Sequence, residues 1–353
     1  MVRYGMIGFG GIAENRLAKE GVACERERFQ PLEEAALVGV TDVNPDRRAA
    51  AEALGLAWYD SADALLADPG IDAVVVATNN RTHYPVASKA IRAGKHALVE
   101  KPLAPTSAEA AALVAEAETA GLSLAVDHMM VHNVLNEKAR ELVAGGALGA
   151  VNDACFHMQF AYGYEPAEGS SWRCSRIEEM GGPIGDVASH CFYVMEFVLG
   201  TPIRAVRATY FPKAMGIAVE DGAVVYCDLA DGRTASALVS FCDRRGGAVG
   251  TLGNLGFELY GEKAALRSYG TMFQLSGFTD EPYRIRLELD TAEGVQTFHA
   301  ESPADIYQGV VKAHAVSIEH GPRMTGLDGL HNVRLCEAAH ASAKSGGKTM
   351  VTE

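Results

Sequence analysis

Two short stretches of this chain hold side chains suited to moving a proton. Glu100-Lys101-Pro102 ends the apolar run His96 to Val99. Proline keeps the residue before it extended, so the Lys101 ammonium leaves the strand in a defined direction, where it could hydrogen-bond a hydroxyl and stabilise charge developing on it. Asp186-Val187-Ala188-Ser189-His190 spaces a carboxylate and an imidazole at i and i+4, on one face of a helix. Such a pair can work as an acid–base unit, the carboxylate orienting and charging the ring that takes a hydroxyl proton. The plainer alternative is an aspartate at a helix start and an ordinary, partly buried histidine. Metal ligation is a third reading, with too few other ligands in view.

A third stretch supplies a place for a cofactor. Gly8-Phe9-Gly10-Gly11-Ile12-Ala13 fits G-x-G-x-x-G/A where the first strand turns into the first helix. Gly8 permits the tight turn, Gly10 lets the backbone approach a pyrophosphate, and Ala13 keeps helix and strand close. Alone, the motif also describes a glycine turn that binds nothing. The second strand ends in Thr41-Asp42, where a carboxylate can accept from ribose hydroxyls and repel a 2'-phosphate, which favours NAD over NADP. Arg47 and Arg48 keep NADP open, or else start a solvated helix. After the run from Ile71, Thr78, Asn79, Asn80 and His83 lie at the sheet edge where ligands bind; helix capping by Asn80 or Thr82 is the alternative. With Glu100 and Lys101 they complete the expected cofactor set.

The elements that must position these groups follow from the apolar pattern. Runs starting at Val2, Ala36, Ile71, His96 and Leu122 alternate with alanine-rich helical stretches, the signature of βαβ units and a doubly wound Rossmann sheet. In one of those helices Thr106 and Glu109 form a capping box and Gly121 a stop. After a helix from Asn133 to Ala144, strands joined by short turns indicate a C-terminal α+β domain with a large, mostly antiparallel sheet. Helices from Pro183 to Leu199 and from Gly329 to Lys344 complete it. Val187, Cys191, Val194, Met195 and Val198 mark the expected buried side of the first of these. Two domains are expected, an NAD(P)-binding Rossmann domain over 1–126 and a substrate-binding and oligomerisation domain over 127–353.

The 353 residues carry a formal charge of -14, which argues against nucleic acid or an anionic membrane as partner. No apolar run approaches the roughly 20 residues of a membrane helix, and MVRYGMIGFGG runs straight into the glycine turn without a signal peptide's parts. The seven cysteines include no CxxC pair and read as reduced, mostly buried thiols. A cytoplasmic protein is expected.

Together, GFGGIA, EKP about ninety residues on, WR before a glycine pair, and D-x-x-x-H on the next helix resemble the Gfo/Idh/MocA family of glucose-fructose oxidoreductase and inositol dehydrogenase. The resemblance covers essentially the whole chain, including GLDGLHNVRLCEAAHASAKSG near its end. It implies that Lys101, Asp186 and His190 surround a reacting carbinol and take its proton as NAD receives a hydride, with either Lys101 or His190 as base. Two departures stand out: Asn79-Asn80 replaces a common proline-asparagine, and DHMMVHN replaces an arginine-phenylalanine pair. Asp127, His128, His132 and Asn133 could therefore line a different substrate pocket. His128 and His132 could ligate a metal if helical, although no third ligand is evident.

Residues 161–182 lack periodicity but carry Tyr162, Tyr164, Trp172 and Arg173, suited to a sugar-stacking wall or, equally, a packed loop at a subunit interface. With no basic cluster for a phosphate, the expected substrate is an uncharged sugar, glycoside or polyol. Rival readings are a redox-neutral, NAD-dependent glycosidase and a non-enzymatic NAD sensor; a sensor has no need of Lys101, Asp186 and His190. A broad one-sided sheet face points to a homodimer or homotetramer.

Overall fold

The computed structural model describes residues 1–242, 255–272, 285–300 and 306–352. Its first sheet is built from β1 (Val2–Ile7), β2 (Ala35–Thr41), β3 (Ala57–Trp58), β4 (Ala73–Val76), β5 (His96–Val99) and β6 (Leu124–Val126). They lie in the order β3-β2-β1-β4-β5-β6, all parallel. Every residue of β4 and β6 is buried, as strands covered on both faces require. The chain order reverses between β1 and β4, which opens a crevice beyond the carboxyl ends of those strands. β3 escapes the sequence pattern because its two residues carry no periodicity.

The second sheet contains β7 (Val151–Gln159), β8 (Ile203–Tyr210), β9 (Gly222–Leu229), β10 (Thr234–Ser240), β11 (Leu255–Gly261), β12 (Ala264–Tyr269), β13 (Arg286–Thr291), β14 (Gly294–His299) and β15 (Met350–Val351). Their order is β14-β13-β12-β11-β7-β10-β9-β8-β15. The β7–β10 pair is parallel and the other pairings are antiparallel. β12 alternates buried and half-buried positions along its length, so one face packs on the core and the other is open, where Tyr226 and Tyr260 are exposed.

The described residues divide into two compact units, 1–132 with 306–333, and 133–242 with 255–272, 285–300 and 334–352. In the first, the helix Ile306–His320 packs beside β1, where the Tyr4 hydroxyl meets His314 Nδ1 at 3.0 Å. That helix is absent from the sequence reading. The helix Leu327–Lys344 is divided between the units. Helix Ser107–Ala120 is capped as expected: Thr106 Oγ1 accepts from Glu109 N at 3.2 Å, and Gly121 ends it with φ +65°. All seven cysteines are free thiols, four of them buried. Among the described residues no helix is long and apolar enough to cross a membrane.

Candidate active site

The glycine loop is tied to the ends of three neighbouring strands. Gly8 has φ +91°, and a Cβ there would lie 2.6 Å from the Ala77 carbonyl oxygen; its N–H donates to Thr41 O at 2.9 Å. Only glycine fits such a position. Gly10 and Gly11 differ, since a Cβ on either would meet nothing within 4 Å. Their backbone faces open space, as a pyrophosphate cradle requires. Phe9 and Ala13 are buried and Ile12 is exposed. The helix that follows, Ala13–Gly21, has π rather than α hydrogen bonding, a form frequent at functional sites.

Asp42 clamps this loop from the end of β2. Its Oδ2 accepts from Phe9 N at 2.5 Å and its Oδ1 from Asn44 N at 2.8 Å. A carboxylate has about four acceptor positions, so capacity remains for ribose hydroxyls. Arg47 is more than a solvated helix start: its Nε donates to the Phe9 carbonyl at 2.6 Å and its guanidinium pairs with Glu14. Arg48 makes a surface pair with Glu52. The residues present fit a dinucleotide, with Asp42 beside the loop and Arg47 engaged by it.

These contacts give opposite expectations for two glycines. Gly10→Ala should leave the melting temperature within about 2 °C while weakening NAD binding at least ~10-fold, because its methyl occupies the cradle. Gly8→Ala should destabilise the fold by about 2–4 kcal/mol through backbone strain and overlap with Ala77. Thermal melts and calorimetric titration separate the two effects. Unchanged NAD affinity in Gly10→Ala would remove the loop from the cofactor site.

Further along the same sheet edge, a 3-10 turn over Asn80–Thr82 follows β4, and neither Asn79 nor Thr82 makes a side-chain cap. The Thr82 hydroxyl instead meets Thr78 Oγ1 at 2.9 Å and the Asn79 carbonyl at 2.8 Å. Asn80 is buried. His83 is buried too, with Nδ1 at 2.6 Å from the Pro102 carbonyl and Nε2 at 3.2 Å from the Thr78 carbonyl. Burial pushes its pKa below the ordinary histidine value, and a neutral ring has one N–H. The shorter contact assigns that proton to Nδ1, so His83 ties the Lys101-Pro102 turn to the end of β4. Glu100 accepts from Lys101 N at 2.9 Å, and its own N–H donates to Val76 O at 2.9 Å. Lys101 is half-buried.

In this unit His128 Nδ1 lies 3.3 Å from Asp328 Oδ2. His132 ends a 3-10 turn, Met129–His132, and packs on Gly309, where burial pushes its pKa down to about 4. Asp127 is buried.

The second unit holds the aspartate and histidine. The expected helix begins as a π turn, Ile184–Ala188, and continues as the α-helix Ser189–Leu199. Asp186 and His190 are buried along with Val187, Cys191, Val194, Met195 and Val198, so this helix is covered beyond its apolar side. Arg173 Nε donates to Asp186 Oδ2 at 3.2 Å, and its guanidinium stacks 4.5 Å from the Trp172 ring. His190 Nδ1 lies 2.7 Å from the Tyr193 hydroxyl. The loop before the helix is formed by two short helices, Pro166–Gly169 and Trp172–Ser175. Tyr162 packs edge-on against Phe241 and meets Ser171 Oγ at 3.4 Å, and the exposed Tyr164 donates to the Cys242 carbonyl at 3.3 Å. Asn133 caps helix Val134–Ala144.

Sequence reasoning missed Tyr193, whose i+3 spacing from His190 was a usable signal. It also missed the clamp of Arg47 on the glycine loop, because nothing in the sequence distinguishes Arg47 from Arg48.

Comparison with known proteins places these features. Residues 2–128 match the model described as "Oxidoreductase family, NAD-binding Rossmann fold", and residues 136–267 match the GFO/IDH/MocA C-terminal domain. The chain is 31% identical over 290 residues to the 1,5-anhydro-D-fructose reductase of Ensifer adhaerens, covering 81% of each chain. It is 25% identical to the myo-inositol 2-dehydrogenase of Thermotoga maritima, with 97% of this chain and 96% of that one covered. A levoglucosan dehydrogenase structure in complex with NADH and levoglucosan superposes with a TM-score of 0.80 at 20% identity, covering 99% of both chains. The chain therefore belongs to the Gfo/Idh/MocA oxidoreductase family, with an NAD-binding Rossmann fold followed by that family's C-terminal domain.

Proposed function

We propose that this enzyme is an NAD-dependent dehydrogenase, or a reductase in the reverse direction, acting on a secondary alcohol of an uncharged sugar, glycoside or cyclitol. The observation that carries the reading is the order of groups along one sheet edge. Asp42 follows β2, the glycine loop follows β1, Thr78 to Asn80 follow β4, and Lys101 follows β5. That order runs from an adenosine-ribose acceptor through a pyrophosphate cradle to an ammonium at the reacting end. The sugar and inositol enzymes among the relatives support the substrate class.

Bound NAD supplies the acceptor for the carbinol's hydride. Gly8, Gly10 and Asp42 would hold its adenosine diphosphate half. Lys101 donates to the carbinol oxygen and stabilises the developing alkoxide. His190 takes the hydroxyl proton; with Nδ1 committed to Tyr193, we assign the transfer to Nε2. Asp186, held by Arg173, keeps a negative charge on the helix that carries the ring. Trp172 and Arg173 flank the substrate, with Tyr162 and His128 as further lining.

Titration calorimetry tests the cofactor half. NAD should bind at least ~10-fold more tightly than NADP, and Asp42→Ser should erase most of that preference by removing the charge that repels a 2'-phosphate. Equal binding of the two cofactors by the unaltered protein would overturn the role of Asp42.

A further inference from the structure

Below the turn that holds Asp186 lies a carboxylate that no step above uses. Glu220 is 6% exposed, just before β9. Its Oε1 accepts from the backbone N–H of Ile184 at 2.8 Å, at the first residue of the π turn. Its Oε2 has no hydrogen-bond partner among the described residues. Gly182 has φ +85°, and a Cβ there would lie 2.5 Å from both carboxylate oxygens. The glycine pair before the helix thus leaves room for a buried acid to reach the helix start, where an N–H without an intrahelical partner needs an acceptor. A buried carboxyl with one oxygen unpaired is costly.

We propose that Glu220 is a positioning residue for the reaction: by holding Ile184 N–H through the hollow over Gly182, it sets the π turn that places Asp186 and, one turn on, His190. The inference rests on the reading of Asp186 and His190 as the proton-handling pair.

The proton on Glu220 is part of the device. Burial pushes its carboxyl up to about 7, against the pull of the Ile184 N–H, Lys213 and Lys344. The other charged or titratable groups around it are Asp221, bound by Lys213 and by the N–H groups of Ala214 and Met215, and Tyr210, whose hydroxyl meets His340 Nδ1 at 2.8 Å. On the π turn itself stands Asp186 with Arg173. A folded-state value above the unfolded one means that the folded protein keeps a proton which the unfolded chain releases. Stability from this group is therefore present below the ordinary carboxylate range and is lost as pH rises toward about 7.

Glu220→Gln keeps an acceptor of the same shape and does not titrate, whereas Glu220→Ala removes the contact. In ring-labelled full-length protein, the His190 signal, identified by its loss in His190→Asn, should move in E220A and return in E220Q. In the unaltered protein the melting temperature should fall as pH rises toward about 7, and E220Q should lose that fall. With an identified substrate, E220A should lower kcat by about 10- to 100-fold with KM nearly unchanged, and E220Q should restore most of it. A His190 signal identical in E220A and the unaltered protein, or the same pH-dependent fall in melting temperature in E220Q, overturns the proposal. Full kcat in E220A beside a crippled His190→Asn overturns the role of Glu220 alone. Near-normal turnover in His190→Asn, with the His190 signal still displaced by E220A, overturns the proton-handling reading and leaves Glu220 as the residue that sets the turn.

Discussion

Lys101→Met is expected to lower kcat/KM by about 10³-fold while NAD binds within about threefold of normal. The expectation comes from how firmly the turn after β5 is held. Glu100 is anchored to β4 through Val76 O and accepts from Lys101 N, while His83 holds the Pro102 carbonyl. Backbone on both sides of Lys101 is therefore fixed, so its side chain leaves the strand end from a set point. Methionine keeps the length and apolar stem but cannot donate to a developing alkoxide. Lys101→Arg should recover little, because a planar fork cannot replace a point donor at a fixed site. Steady-state kinetics with calorimetric cofactor binding decide the matter. Near-normal turnover in Lys101→Met would remove the lysine from the reaction.

His190→Asn and Asp186→Asn are each expected to reduce kcat by about 10²- to 10⁴-fold. The imidazole is buried and its Nδ1 engaged by Tyr193, so the ring has a fixed orientation that asparagine cannot reproduce as a base. Asp186→Asn leaves the half-buried Arg173 guanidinium facing a neutral amide, which changes the charge on the turn that leads into the helix of His190. If the two act as a unit, the double variant should be scarcely slower than the worse single one, since groups that share a step are not additive. Multiplying losses would show that Asp186 works independently of His190. Normal kcat in both single variants would contradict the assignment.

Much of the architecture could be read from apolar spacing, because strands buried on both faces must be continuous apolar runs. β4 and β6 are of that kind. The Thr106 cap and the Gly121 stop were legible for a similar reason, each being a local chemical device. What escaped depended on nonlocal packing. β3 is two residues long, and Ile306–His320 joins the first unit from the far end of the chain. The π turns at Ala13–Gly21 and Ile184–Ala188 carry no pattern that separates them from α-helix. At the candidate site the residue types were visible but not their partners. Arg173 could be noted as a donor, whereas its bond to Asp186 requires the loop and helix to meet. Glu220 sits next to Asp221 in an unremarkable ED pair, and only the fold sets it under Ile184.

Hydride exchange between NAD and an uncharged sugar or polyol is visible as near-ultraviolet absorbance of the purified enzyme with NAD against free sugars, cyclitols and glycosides, and with NADH against the corresponding carbonyl compounds. NADH should appear with at least one alcohol, or disappear with its ketone, and Lys101→Met should abolish the signal. Cleavage of an aryl glycoside with no net change in NADH, and no redox exchange with any compound in either direction, would contradict it.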